Sequence, residues 1–332
     1  MPGHDDLTKS LSVEFKIMES SEIVTPQLRG IIPPLVTPLV DRDTLDVVGL
    51  ERLIEHVLAG GVHGLFVLGT TGEGPALGSH LRYQFVEMVC DQVAGRVPVL
   101  VGVSDPAFTE SLELAQHAHG AGAAAVVTAG PYYLPLSQSE LFNSIEMLSV
   151  ESPLPVVLYN MPACTDVMFE LDTVRELIHV PNLLGMKDSS GDMEYFRELG
   201  QLTSDLADFA LLIGPETQLV EAMQLGADGG VTGGANMAPR LFVDLYEAAL
   251  AGDAERCAAL QRRTHQIAET IYTVGQDPSR FIKGTKCGLA AMGICDDFVL
   301  PPYGRFSDGD REQIAGFVDQ LQLKEVTSEV TP

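Results

Sequence analysis

Basic residues are scarce in this chain. Twenty lysines and arginines stand against 46 aspartates and glutamates, a formal charge of -26. Nucleic acid and anionic membranes are poor partners for such a surface, because counterion release needs clustered Lys and Arg. An anionic substrate would need positive groups supplied locally. Long apolar runs are also missing, and none approaches the ~20 residues that cross a bilayer. The first 29 residues mix Lys9, Lys16, Glu14 and Glu19 with scattered apolar residues. They lack the unbroken stretch of a secretory signal and read as a tail or surface arm. Cys90, Cys164, Cys257, Cys287 and Cys295 are widely spaced and form no C-x-x-C pair, which points to reduced thiols in a cytoplasmic protein. No H-x-x-x-H occurs, and His117 and His119, two apart in a helical pattern, cannot share a face. No metal site is expected. Linkers rich in Pro, Gly and Ser are absent too.

What is present is a repeated alternation. At 332 residues and 45% hydrophobic, the chain can bury a large core. Short runs rich in Val, Leu and Ile start near Ile31, Gly64, Val97, Ala124, Pro155, Leu183, Phe209 and Gly229. Runs that are apolar on both faces are what strands of a covered parallel sheet look like. Helical patterns lie between them. Val47, Leu50, Ile54, Val57 and Leu58 follow a Thr44 cap, and Ser137 with Glu140 forms a capping box. Leu171, Val174 and Leu177 keep the same period, and Pro239 suits the first turn of a helix. Eight such units match an α/β protein of the (β/α)₈ TIM barrel class better than a doubly wound sheet. Further helical stretches near 253–274, 278–293 and 308–323 are too many for the barrel. The expected organisation is a tail over 1–29, a barrel over 30–252 and a C-terminal helical appendage over 253–332.

In that fold, polar residues at strand C-termini are the first candidates for chemistry. The sixth strand runs Leu183-Leu184-Gly185-Met186-Lys187, and alternation places Leu183, Gly185 and Lys187 on one face. Burial disfavours a charged ammonium, and the free amine is a nucleophile for a ketone. The bland alternative is a solvated lysine where strand meets loop. Strand five ends on Tyr159, a potential proton carrier or an amphipathic core cap. Strand two runs into Gly69-Thr70-Thr71-Gly72-Glu73-Gly74, where free amides and two hydroxyls suit a carboxylate. No Lys follows, so it is no Walker A loop. Strand four ends near Tyr132-Tyr133. The glycines of strand eight, around Val231, permit close approach of a ligand such as phosphate.

The set GTTGEG, PYY, YNMP and GMKDSSG, in this order and spacing, resembles the dihydrodipicolinate synthase/N-acetylneuraminate lyase family of class I aldolases, over about Leu35 to Leu323. The resemblance implies a homotetramer and a covalent imine on lysine, with no metal or other cofactor. It implies pyruvate or a similar 2-oxo acid, plus an aldehyde, as partners. Lys187 matches the imine-forming lysine, and Tyr159 the proton-shuttling tyrosine. Thr70 and Tyr133 match its relay partners, the tyrosine crossing a subunit interface. Thr71 with adjacent amides matches the carboxylate site, and Val231 a backbone carbonyl lining the pocket. One departure matters. Members that make dihydrodipicolinate carry an arginine five residues after the tyrosine, and here that residue is Cys164. A thiol cannot replace a bidentate guanidinium. Asp166, in place of a common glycine, would repel a second carboxylate if it faced the pocket. Aspartate-semialdehyde is therefore disfavoured, and a hydroxylated or sugar-acid aldehyde fits better, with Asp166, Ser189 and Ser190 available to its hydroxyls. A synthase would need another cation, for which Arg240 and Lys283 are poorly placed. A phosphate-handling barrel isomerase and a non-catalytic binder of 2-oxo acids are the other readings.

Overall fold

The computed structural model describes residues 27–324, so the tail reading for residues 1–26 and the last eight residues lie outside it. All eight expected strands form. They are β1 (Gly30–Ile31), β2 (Leu65–Val67), β3 (Val99–Gly102), β4 (Ala125–Ala129), β5 (Val156–Asn160), β6 (Leu183–Asp188), β7 (Ala210–Ile213) and β8 (Gly229–Gly230). Every pairing between them is parallel, in the order β1-β8-β7-β6-β5-β4-β3-β2. The two ends of that order meet. Pro34 bridges Phe66 in parallel, Leu35 N–H donates to Phe66 O at 2.8 Å, and Phe66 N–H donates to Pro33 O at 3.0 Å. The sheet thus closes on itself.

Helices fill the crossovers and cover the outer face. They are α1 (Val47–Ala59), α2 (Ser79–Val93), α3 (Phe108–Gly120), α4 (Gln138–Glu151), α5 (Leu171–Leu177), α6 (Met193–Thr203), α7 (Leu219–Gln224) and α8 (Pro239–Leu250). Three more follow: α9 (Ala254–Thr270), α10 (Arg280–Ala291) and α11 (Asp308–Gln320). The capping box at Ser137 and Glu140 is present, and Pro239 opens α8. The cap of α1 differs from expectation. Asp46 accepts from Gly49 N–H, whereas Thr44 lies in a small antiparallel hairpin of Leu39–Asp41 with Thr44–Leu45. A carboxylate facing the helix N-terminus is the stronger acceptor, and the hairpin consumes the threonine.

Two apolar layers result from strand alternation. Phe66, Leu100, Val127, Val157, Leu212 and their neighbours fill the barrel interior. Leu65, Val101, Val126, Leu158, Met186 and Ile213 face outward and pack under the helices. The sixth strand breaks strict alternation, because Val156 pairs with Leu183 and Val157 with Gly185. The extra residue, Leu184, turns into the interior, so Leu183, Gly185 and Lys187 do not form one uninterrupted face. Beyond this irregularity, Tyr159 pairs with Lys187 and Asn160 with Asp188. These registers carry the chemically interesting side chains to one end of the barrel.

Candidate active site

Lys187 lies at the C-terminal end of β6, only 5% exposed, inside the barrel mouth. Its Nζ sits 4.0 Å from the ring centroid of Tyr159 and 5.1 Å from that of Phe66. Those two rings meet edge to face. The Tyr159 hydroxyl in turn lies 3.3 Å from Thr70 Oγ1. A lysine, a tyrosine and a threonine from three strand ends are therefore contiguous, and no ion pair among the described residues engages Lys187.

The floor beneath them is braced from the other face of the same strands. Asn160 Nδ2 donates to Asp188 Oδ1 at 2.7 Å, and Ser190 Oγ donates to Asp188 Oδ2 at 2.9 Å. Burial pushes the Asp188 carboxyl above its ordinary range, against the pull of these donors. Ser190 is thereby committed to Asp188 rather than to a ligand. Asn160 also accepts from Phe169 N–H through Oδ1. One buried network thus fixes the residues adjoining both Tyr159 and Lys187.

The loop after β2 is held as a tight turn. Glu73 N–H donates to Thr70 O at 3.1 Å, Gly74 N–H donates to Gly69 O at 3.2 Å, and Thr37 Oγ1 donates to Gly72 O at 2.7 Å. A Cβ at Gly74 would run into the Leu68 carbonyl, so the turn requires glycine there. Among the described residues, the amides of Thr71 and Gly72 donate to no protein group. Free amides beside a buried threonine form a small anion receptor.

Two adjoining cavities of about 300 and 330 Å³ share Thr70, Tyr159 and Met161. Lys187 opens on the second, together with Thr71, Ser189, Val231 and Glu216. Cys164 lines the first, with Tyr132, Ser104 and Tyr303. Among the described residues, Lys187 is the one basic side chain lining either cavity. Burial raises the Cys164 thiol against the opposing field of Lys187, so it remains a neutral thiol. The residues considered as substitute cations are engaged elsewhere. Arg240 pairs with Asp244 and Glu247 along α8, and Lys283 pairs with Asp277 at 2.5 Å.

Two of the expected site residues are not brought to Lys187 within one chain. Tyr133 is 92% exposed with a left-handed φ of 81°, and Leu134 beside it is also exposed. Asp166, exposed and also left-handed, lines an outer hollow with Tyr133 and Cys164 and not the Lys187 cavity. Gly229 and Gly230 of strand eight are taken up by packing, whereas Gly233 lines the Lys187 cavity. A Cβ at Gly229 would collide with the Gly30 carbonyl of β1, which leaves that residue no role in approaching an anion.

Glu216 was not anticipated. It follows the seventh strand, so the same strand-end rule that picked out Lys187 could have found it. Its Oε2 accepts from Gly234 N–H at 2.6 Å, beside the Tyr272 hydroxyl. Burial lifts its carboxyl to about 7, opposed by the hydrogen bond from Gly234 N–H. Burial and the Glu216 charge together hold the Tyr272 hydroxyl well above its ordinary range. Tyr272 and Phe281 reach the cavity from the C-terminal helices. No group of three or more His, Cys, Asp or Glu among the described residues is placed to hold a metal ion. No helix among them is long and apolar enough to cross a membrane.

Residues 27–321 match the dihydrodipicolinate synthetase family. A dihydrodipicolinate synthase of known structure from Bacteroides thetaiotaomicron is 48% identical, with a TM-score of 0.86 over 88% of this chain and 98% of that one. The prophage protein YagE of Escherichia coli K12, solved in complex with pyruvate, is 31% identical, with a TM-score of 0.84 over 90% of this chain and all of its own. A probable 2-dehydro-3-deoxy-D-pentonate aldolase of Escherichia coli K12 is 32% identical over 288 residues, 86% of this chain and 94% of the relative.

Proposed function

The chain belongs to the dihydrodipicolinate synthetase family of lyases, and from its site we propose that it forms an imine between Lys187 and pyruvate or a similar 2-oxo acid. The observation that carries this reading is the contact of Lys187 with Tyr159, paired in register on adjacent strands, with the Thr70 hydroxyl 3.3 Å from the tyrosine oxygen. The free amine adds to the keto carbon, and loss of water leaves a protonated imine. Tyr159 supplies and removes the protons of these steps through Thr70. The imine draws electrons from the neighbouring carbon. That carbon loses a proton to become an enamine and adds to the aldehyde carbonyl. Hydrolysis returns the amine, and the reverse sequence cleaves the bond. No step needs a metal.

The free amides of Thr71 and Gly72 hold the carboxylate in this scheme, and the Val231 backbone lines the same pocket. Tyr133, exposed on its own chain, completes the relay of a neighbouring subunit in a homotetramer. In the same reading the protein is cytoplasmic, and the chain divides into a tail (1–29), a barrel (30–252) and a C-terminal region (253–332).

The aldehyde partner is uncharged and hydroxylated. The cavity walls offer Ser104, Tyr132, Ser189 and other hydroxyls, and Lys187, consumed by the imine, is their only cation among the described residues. The alternative is condensation of pyruvate with aspartate-semialdehyde by a 4-hydroxy-tetrahydrodipicolinate synthase. It draws support from the 48% identity to the Bacteroides synthase, but among the described residues no second cation lines the cavities to pair the second carboxylate. Pyruvate release from 4-hydroxy-2-oxo sugar acids tests the choice. Release that requires Lys187 supports the aldolase. Consumption of aspartate-semialdehyde with no such release would move the function to the synthase.

A further inference from the structure

We propose that the buried ion pair between Glu73 and Lys286 positions the Thr70–Thr71 loop for the 2-oxo acid. The C-terminal helices would then set the affinity of the site together with the barrel. The proposal rests on the Lys187 imine reading, and concerns how the carboxylate-binding loop is held.

Glu73 and Lys286 pair with neither side chain exposed to solvent. Each also holds a second partner. Lys286 Nζ donates to Phe298 O at 2.7 Å, and Glu73 Oε2 accepts from Leu300 N–H at 2.7 Å. Lys286 lies on α10, and Phe298 to Leu300 belong to the segment that follows it. Glu73 is therefore gripped from two sides by residues more than 200 positions later in the chain. Its backbone has a φ of 55°, a conformation that glycine or asparagine adopts more easily. A glutamate there is kept for its side chain.

The connection to the ligand is short. The Glu73 N–H closes the turn on the Thr70 carbonyl, so a displacement of Glu73 carries Thr70 and Thr71 with it. Thr70 touches Tyr159, and Thr71 lines the Lys187 cavity. A buried ion pair adds little net stability over apolar residues of similar volume, because desolvation offsets most of the attraction. What it supplies is a single permitted geometry. Glu73 and Lys286 are thus positioning residues, which act on substrate through the loop and do not touch the reacting atoms.

The experiment uses the full chain and borohydride trapping across a pyruvate series, read by intact mass, beside thermal unfolding. Two variants are compared with the parent. Glu73→Gln with Lys286→Met removes both charges and leaves no lone buried ion. Glu73→Asp keeps the charge and shortens the reach. The pyruvate concentration giving half-maximal adduct should rise about tenfold or more in the double variant, the scale on which misplaced binding groups act. It should rise in Glu73→Asp as well, while the plateau of one adduct per chain is kept in both. A parental half-saturation in either folded variant would reduce the pair to a fold staple and overturn the proposal. Should the double variant fail to fold, Glu73→Asp decides alone. A parent protein that forms no adduct would sink the imine reading instead, a distinct outcome.

Discussion

Glu216→Gln should remove a defined part of the protein's pH-dependent stability. Burial lifts the Glu216 carboxyl from the ordinary 4.5 to about 7 in the folded protein. Between those values the folded chain keeps a proton that the unfolded chain has released. The native state then binds more protons than the unfolded state, so stability falls as pH rises through this window. Each pH unit crossed removes about 1.36 kcal/mol, so the loss approaches about 3 kcal/mol by pH 7. Above pH 7 it grows no further, because the folded carboxyl ionises too. Glutamine keeps an acceptor for Gly234 N–H and carries no titrating proton. Urea unfolding of parent and variant, at pH 5 and pH 8 and equal protein concentration, isolates the effect. The variant should gain about 2–3 kcal/mol on the parent between the two pH values. An equal difference at both would show that Glu216 does not titrate in this way.

Tyr159→Phe removes the hydroxyl proposed to relay protons and should lower turnover by about 10²–10⁴-fold while leaving thermal stability near parental, checked by steady-state kinetics and calorimetry. Cys164→Arg restores a guanidinium beside the first cavity. It should raise the preference for carboxylate-bearing over neutral aldehydes by about tenfold or more, measured as a ratio of kcat/KM values. Asn160→Ala strips partners from the buried Asp188 carboxylate and the Phe169 amide, and should cost about 1–3 kcal/mol in denaturant unfolding. If Tyr133 serves a neighbouring subunit as proposed, activity per chain should fall on dilution in step with dissociation seen by sedimentation. Full activity in a monomer would contradict that assignment.

Most of what positions the site was legible from local pattern. Strands apolar on both faces announced a covered parallel sheet, and the strand-end rule singled out Lys187, Tyr159 and Thr70, which the fold brings into contact. The misses share a cause, namely dependence on partners remote in sequence. The bulge that turns Leu184 inward arises from its pairing with β5, which no property of the sixth strand alone reveals. Thr44 and Asp46 are both good caps, and only the hairpin decides between them. Asp166 follows the tyrosine motif closely enough to suggest a pocket residue, yet its left-handed backbone turns the chain outward. Tyr272 reaches the cavity, and Lys286 reaches Glu73, from helices that periodicity could place in order but not in space.

The most direct test of the central claim is intact mass after incubation with pyruvate and borohydride, for the parent and for Lys187→Ala. The account predicts one reduced pyruvyl adduct per chain on the parent and none on the variant. An equal adduct on both would place the nucleophile elsewhere, and none on the parent with any 2-oxo acid would contradict the imine mechanism itself.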